Sequence, residues 1–260
     1  MLTRIMSAVV ALPILIAVVY FGGTPLFLGT LAISLIGLYE FYGAMKALER
    51  KPIFWCGYLG TMILLFQIKG IILPQVPYLV PVGMVIILSI IPMAKPQYTI
   101  EDSIVTLYGL CYVPLLLAHL IMIDQGSQPQ ALWLVFLIAW GSDTFAYFTG
   151  YFLGKRKLCP TISPKKTVEG AIGGALGAMI ISGIFGYYFL NDHLLLVMAM
   201  GLLGSIISVL GDLTASIIKR TAGIKDYGNI MPGHGGILDR FDSILFTAPF
   251  VYYFMGLLAF

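Results

Sequence analysis

Apolar runs of 17 to 25 residues recur along this chain, roughly at 5–21, 25–45, 53–72, 78–94, 104–123, 131–152, 168–190, 194–218 and 241–259. A helix needs about 20 such residues to cross the hydrocarbon core of a bilayer. Of the 260 residues, 59% are hydrophobic and only 10% are charged, against roughly a quarter charged in soluble domains. A soluble protein could not cover its surface with so few. The expected fold is all-α, a polytopic integral membrane protein with about nine transmembrane helices. Turn-forming residues punctuate the runs at Gly22 to Pro25, Pro74 to Pro77, Lys95 with Pro96, and Asp124 to Pro129. Arg4 followed by Ile5 to Phe21 resembles the charged and apolar parts of a signal peptide. No small-x-small cleavage site precedes Gly22, so the segment reads as a retained first span. A single re-entrant hairpin made of the first two runs is the alternative.

Cations sort by side. Arg4; Lys46, Arg50 and Lys51; Lys95; Lys155, Arg156, Lys157, Lys165 and Lys166; and Lys219, Arg220, Lys225 and Arg240 fall in the N-terminus and alternate loops, with Lys69 the exception. The positive-inside rule then predicts a cytoplasmic N-terminus, an outside C-terminus, and loops 153–167 and 219–240 on the cytoplasmic side. Cys56, Cys111 and Cys159 are scattered and form no CxxC pair, so they read as small hydrophobes. His119 and His193, near span ends, are expected at the membrane interface.

Chemistry gathers in the second half. Asp143 and Asp212 lie within apolar runs, where an acid costs about 2.5–3.5 kcal/mol and marks a functional position by default. A structural ion pair or a polar helix seam is the bland alternative. Ser216 and Lys219 follow Asp212 at i+4 and i+7, on one helical stripe. Asp239 and Asp242, at i, i+3, suit the first turn of the last helix. Just before them comes the glycine-rich stretch Pro232, Gly233, His234, Gly235, Gly236, whose backbone N–H groups could approach phosphate. Two carboxylates after this turn, with Asp212, could hold Mg²⁺, which takes oxygen ligands and uses one or two carboxylates. Lys165 and Lys166 precede the seventh run, where they serve either as topology signals or as triphosphate contacts. Gly170 with Gly174 and Gly173 with Gly177 form GxxxG pairs that permit close helix packing. No P-loop sequence is present.

The series Ser216, Lys219, Arg220, Lys225, Asp226, Pro232, Gly233, His234, Gly235, Gly236, Asp239, Arg240 and Asp242 closely resembles the signature of phosphatidate cytidylyltransferases, the CDP-diacylglycerol synthases. Ser163 to Gly170 and the Asp143 segment resemble the same family. The resemblance covers the C-terminal half; the first hundred residues share only hydrophobicity and span count. It implies that CTP and phosphatidate give CDP-diacylglycerol and pyrophosphate, in a Mg²⁺-dependent homodimer within membrane lipid, with no nucleic-acid partner. A second cation, monovalent or divalent, is left open. By this carry-over Asp212 and Asp239 are the metal ligands, and Asp212, Lys219, Asp239 and Asp242 the catalytic set. Lys165, Lys166, Ser216, Arg220, Lys225, His234, Gly235, Arg240 and Asp143 contact substrate. Residues 1–125 would form a helical scaffold with dimer contacts, and 126–260 the catalytic region. A bacterial inner membrane with the site facing the cytoplasm is expected. A CTP-dependent lipid kinase is the nearest alternative, and an ion-coupled transporter the more distant one. Transporters often carry inverted repeats, whereas the polar residues here are confined to one half.

Overall fold

The computed structural model describes the backbone of residues 2–76, 79–231, 233 and 235–257, and the side chains from Val9 onward within those ranges. His234, Pro232 and the last residues of the ninth apolar run lie outside the described residues.

Each apolar run forms a helix. In chain order these are α1 (Leu2–Phe21), α2 (Gly23–Lys46), α3 (Phe54–Ile68), α4 (Leu79–Ala94), α5 (Ile100–Leu110), α6 (Leu116–Asp124), α7 (Leu132–Leu153), α8 (Val168–Phe189), α9 (Leu194–Thr221) and α10 (Leu238–Leu257). A single run became the pair α5 and α6 because the wider π turn Cys111–Leu115 joins them. It contains Pro114, whose missing N–H and bulky ring disrupt an α-helical ladder. Between α1 and α2, Gly22 adopts φ 57° and Gly23 φ 52°, a conformation glycine reaches without steric penalty. Among the described residues, five helical segments are long and apolar enough to cross a membrane: Gly23–Lys46, Ile100–Asp124, Pro129–Leu153, Val168–Phe189 and Asn191–Thr221. Val9–Phe21, Phe54–Ile68 and Leu79–Ala94 are apolar but shorter. The chain is therefore a helical integral membrane protein.

The expectation of an all-helical chain needs one amendment. Lys157–Cys159 (β1) and Ser163–Thr167 (β2) pair as a small antiparallel hairpin. Lys165 and Lys166 thus lie on a strand that leads into α8, not on the helix. Thr167 caps that helix by accepting the Gly170 N–H at 3.1 Å. Glu169, in the first turn, accepts the N–H groups of Lys155 and Arg156 at 3.0 and 3.1 Å and closes the loop.

The helices form two compact units, interleaved in sequence: residues 1–122 with 221–241, and 123–220 with 242–260. In the first, Leu38, Phe41 and Tyr42 of α2 are buried. The Tyr42 hydroxyl donates to the Thr106 carbonyl at 2.8 Å. A Cβ on Gly109 would stand 2.5 Å from the Tyr42 ring, so α2 and α5 meet where that glycine leaves room. Thr99 and Asp102 make a reciprocal capping box at the start of α5. His119 is buried and its Nδ1 lies 3.0 Å from the Leu115 carbonyl. It belongs to the protein interior, not to the membrane interface expected from its position.

In the second unit α7 and α8 pack backbone to backbone. A Cβ on Gly170 would meet the Ala146 carbonyl at 2.8 Å, and one on Gly174 the Ser142 carbonyl at 2.8 Å. The paired GxxxG spacing does what small residues do in membranes, where dispersion contacts at close range replace the hydrophobic effect. Gly211 of α9 performs the same service for α10, since its Cβ would lie 2.8 Å from the Asp242 carbonyl. Outward from this unit point Tyr147, Phe148, Tyr151, Phe152, Ile180 and Tyr188, all exposed. Such an apolar surface suits contact with lipid.

Candidate active site

The close approach of α9 and α10 at Gly211 sets the position of two acids. Asp212 follows Gly211, and Asp242 supplies the carbonyl that Gly211 admits. The charges acting on Asp242 are those of Asp212, Lys219 and Asp143. Three acids and a cation from α7, α9 and α10 thus share one neighbourhood within the second unit. The helical stripe expected on α9 is present: Ser216 Oγ donates to Asp212 Oδ1 at 3.3 Å, and Lys219, one further turn on, is buried. Lys166 forms an ion pair with Asp212 Oδ2, and both side chains are about a quarter exposed. Ser243 Oγ lies 3.5 Å from Asp143 Oδ2, and the Ser243 N–H donates to Asp242 Oδ1 at 2.8 Å.

Beside this cluster lies a cavity of about 480 Å³. Lys157, Lys165 and Lys166 line it from the hairpin, and Asp143, Tyr147 and Tyr151 from α7. The volume is in the range of small-molecule sites. Its wall combines cations with aromatic rings that belong to the exposed face of α7, so one cavity presents both phosphate-binding and lipid-like surfaces. Arg220 is exposed at the end of α9.

The remaining candidates sit in the first unit, on the loop from 222 to 237 and the start of α10. Lys225 and Arg240 are exposed. Gly235 has φ 86° and pairs with Met231 across a tight turn. Asp239 is buried, and its Oδ2 accepts the N–H of Tyr227 at 2.8 Å and of Gly236 at 2.9 Å. Glu40 of α2 accepts the N–H of Ile237 at 3.0 Å and of Leu238 at 2.7 Å. Within the glycine-rich stretch the Gly236 N–H is taken, as are those of Ile237 and Leu238 just after it. Those donors are already engaged by carboxylates of the protein. Glu40 itself went unnoticed, yet the rule that marked Asp143 and Asp212, an acid inside an apolar run, reaches it too.

The carboxylate oxygens of Asp143, Asp212 and Asp242 are hard donors of the kind that suits Mg²⁺. Among the described residues no group of three or more His, Cys, Asp or Glu is arranged to hold a metal ion. Magnesium is often held by one or two carboxylates, with substrate phosphates and water completing the octahedron. Asp212 and Asp242, close together and balanced by Lys219, fit such a role.

Comparison with known proteins agrees with this chemistry. Residues 2–258 match the Cytidylyltransferase family. The phosphatidate cytidylyltransferase of Staphylococcus haemolyticus is 34% identical over 252 residues, covering 96% of each chain. That of Bacillus subtilis is 32% identical over 98% of this chain and 97% of its own. That of Synechocystis is 32% identical over 98% and 96%. A match across nearly the whole length of both partners, including the N-terminal helices that the motifs left unplaced, shows that this chain belongs to the cytidylyltransferase family.

Proposed function

We propose that the protein is a membrane nucleotidyltransferase that transfers the cytidylyl group of CTP to phosphatidate, giving CDP-diacylglycerol and pyrophosphate. The observation that carries the proposal is the juxtaposition in the second unit. Asp143, Asp212 and Asp242 gather with Lys166 and Lys219 beside a cavity that has lysines on one wall and lipid-facing tyrosines on another.

A phosphate oxygen of phosphatidate attacks the α-phosphorus of CTP, and the bond to the β-phosphate oxygen breaks to release pyrophosphate. The attacking phosphomonoester has a second pKa of about 6 and is mostly a dianion at neutral pH. No strong general base is needed. The difficulty is to bring two polyanions together, and catalysis of this kind rests on positioning and charge neutralisation. Lys165 and Lys166 receive the triphosphate, helped by Arg220 of the same unit; the family resemblance also assigns Lys225 and Arg240 to substrate. Lys219, buried beside Asp242, offsets the acids and holds their arrangement when substrate is absent. Ser216 orients the Asp212 carboxylate. Tyr147 and Tyr151 lead from the cavity to the exposed apolar face of α7, so the acyl chains stay in lipid while the head group enters. Asp212 would hold Mg²⁺, with Asp242 beside it in the same unit; Asp239 is the other ligand that the family resemblance implies. Mg²⁺, when bound, neutralises triphosphate charge and polarises the phosphoryl oxygens.

The nine helical segments all cross the membrane with the N-terminus inside, the cation-rich loops face the cytoplasm of a bacterial cell, and the working form is a homodimer. The deciding experiment uses purified protein in detergent with phosphatidate and CTP labelled in the α- or γ-phosphate, with and without Mg²⁺. Label from the α-phosphate in lipid and from the γ-phosphate in pyrophosphate is the expected result. γ-Label in lipid with release of CDP would mean a lipid kinase instead.

A further inference from the structure

We infer that Glu40 is a positioning residue for the reaction, holding in one shape the loop that presents Asp239 at the head of α10. The inference rests on the activity proposed above, and it concerns a residue far from the signature: Glu40 and Leu238 are 198 positions apart. Glu40 is only 2% exposed, in the last third of the apolar helix α2. A buried acid is costly unless its oxygens are engaged. Among the described residues they are engaged by backbone donors: Oε1 accepts from Ile237 and Oε2 from Leu238.

Those donors belong to the amino end of α10. The first N–H groups of a helix have no partner inside it, and together with the helix dipole they attract an anion. In many proteins a substrate phosphate takes that place. Here α10 meets the carboxylate of another helix. Asp239 Oδ2 accepts two more donors, Tyr227 and Gly236, at 2.8 and 2.9 Å. Two acids thus tie down four backbone N–H groups between residues 227 and 238. The same loop bears Lys225 and Arg240 at its ends.

The glycines report how close the fit is. A Cβ on Gly228 would lie 2.6 Å from Glu40 Oε1, and one on Gly236 would lie 2.5 Å from the same atom. On Gly235 it would be 2.9 Å from Asp239 Oδ2, at φ 86°. Gly235 and Gly236, which read in sequence as part of a phosphate-approaching stretch, and Gly228 beside them, stand where carboxylates of the protein approach the backbone. Glu40 also leaves α10 no unclaimed N–H at Ile237 or Leu238 for the triphosphate, which leaves that task to side-chain cations.

The test compares Glu40→Gln and Glu40→Ala with the wild type, each purified in detergent and checked for a monodisperse folded species. Two quantities are read: amide hydrogen exchange in peptides spanning 227–240, and kcat and KM with CTP and phosphatidate. Gln keeps one acceptor and turns an N–H₂ toward the other donor; Ala keeps neither. Exchange should quicken about tenfold or more in the order wild type, Gln, Ala. kcat should fall in the same order by about 10–100-fold, since small misplacements carry losses of that size, while KM for phosphatidate moves less than kcat. If Ala does not fold, Gln decides. Unchanged exchange would show that the contact does not hold the loop. Faster exchange with unchanged kcat in the folded variant would reduce Glu40 to a stabilising contact. Both outcomes overturn the inference. Failure of the wild type itself to make CDP-diacylglycerol would instead strike the proposed activity, and the exchange series would still decide whether Glu40 holds the loop.

Discussion

Asp212 has different partners on its two oxygens, Ser216 on one and Lys166 on the other. Replacing it with Asn keeps the shape and removes the charge that balances Lys166 and that is proposed to attract Mg²⁺. We expect Asp212→Asn to lower Mg²⁺-dependent pyrophosphate release by about 10²–10³-fold, the loss typical of removing one preorganised electrostatic contact, while the protein stays folded. Near-wild-type turnover would remove Asp212 from the metal assignment. Lys166→Ala should raise KM for CTP about tenfold, as the loss of one charge-assisted hydrogen bond would. Because the two side chains touch, the double variant should lose less than the sum of the single losses in activation free energy; strict additivity would mean that they act separately. These residues were legible because helical spacing is readable: Asp212, Ser216 and Lys219 fall on one stripe whatever surrounds them. Glu40 was legible only as an acid inside an apolar run; its role was not, for the opposite reason. Its partners are backbone N–H groups, which any sequence carries, and nothing in the residues between says that α2 will lie beside the start of α10.

At the scale of elements, the α7–α8 pair depends on absent side chains. A Cβ at Gly174 would need the Ser142 carbonyl, 2.8 Å away, to move, and backbone yields less readily than a flexible side chain. Gly174→Ala should therefore destabilise the protein by about 1–3 kcal/mol, the usual size of overpacking. It should also lower activity, because α7 carries Asp143. Gly43 in α2 has nothing within 4 Å of its would-be Cβ, so Gly43→Ala should be neutral or stabilise by up to about 1 kcal/mol through helix propensity. Thermal unfolding of both variants in the same detergent checks the contrast; equal effects would mean that the tight packing is not what matters at Gly174. The GxxxG spacing announced this contact, though not which helix would receive it. The hairpin of β1 and β2 was hidden more deeply. Ser163, Pro164, Lys165, Lys166 and Thr167 show no alternation of apolar and polar residues, the usual mark of a strand. Their pairing follows from Glu169 closing the loop upon Lys155 and Arg156, a contact to backbone that spacing does not reveal.

For the whole molecule, the open question is how many of the helical segments cross the bilayer, and charge answers it more directly than length. α3 and α4 are short for a full crossing at 15 and 16 residues, but snorkelling side chains and local thinning of the bilayer tolerate a short span at modest cost. The cations weigh more. Loop 153–167 holds Lys155, Arg156, Lys157, Lys165 and Lys166, while the α8–α9 connection around Asn191 holds no Lys or Arg. Such asymmetry orients short loops toward the cytoplasm. If α3 or α4 alone failed to cross, every later loop would change sides and the basic hairpin would face outward, away from cytosolic CTP. A cysteine appended after Phe260, in a variant lacking Cys56, Cys111 and Cys159, should therefore react with an impermeant maleimide in intact cells. Arg156→Cys in the same background should react only after permeabilisation. The reverse pattern would turn the molecule over and set its lysine-lined cavity on the side where the nucleotide is not. Labelling of both from the same side would require an even number of crossings between them, where α8, α9 and α10 supply three.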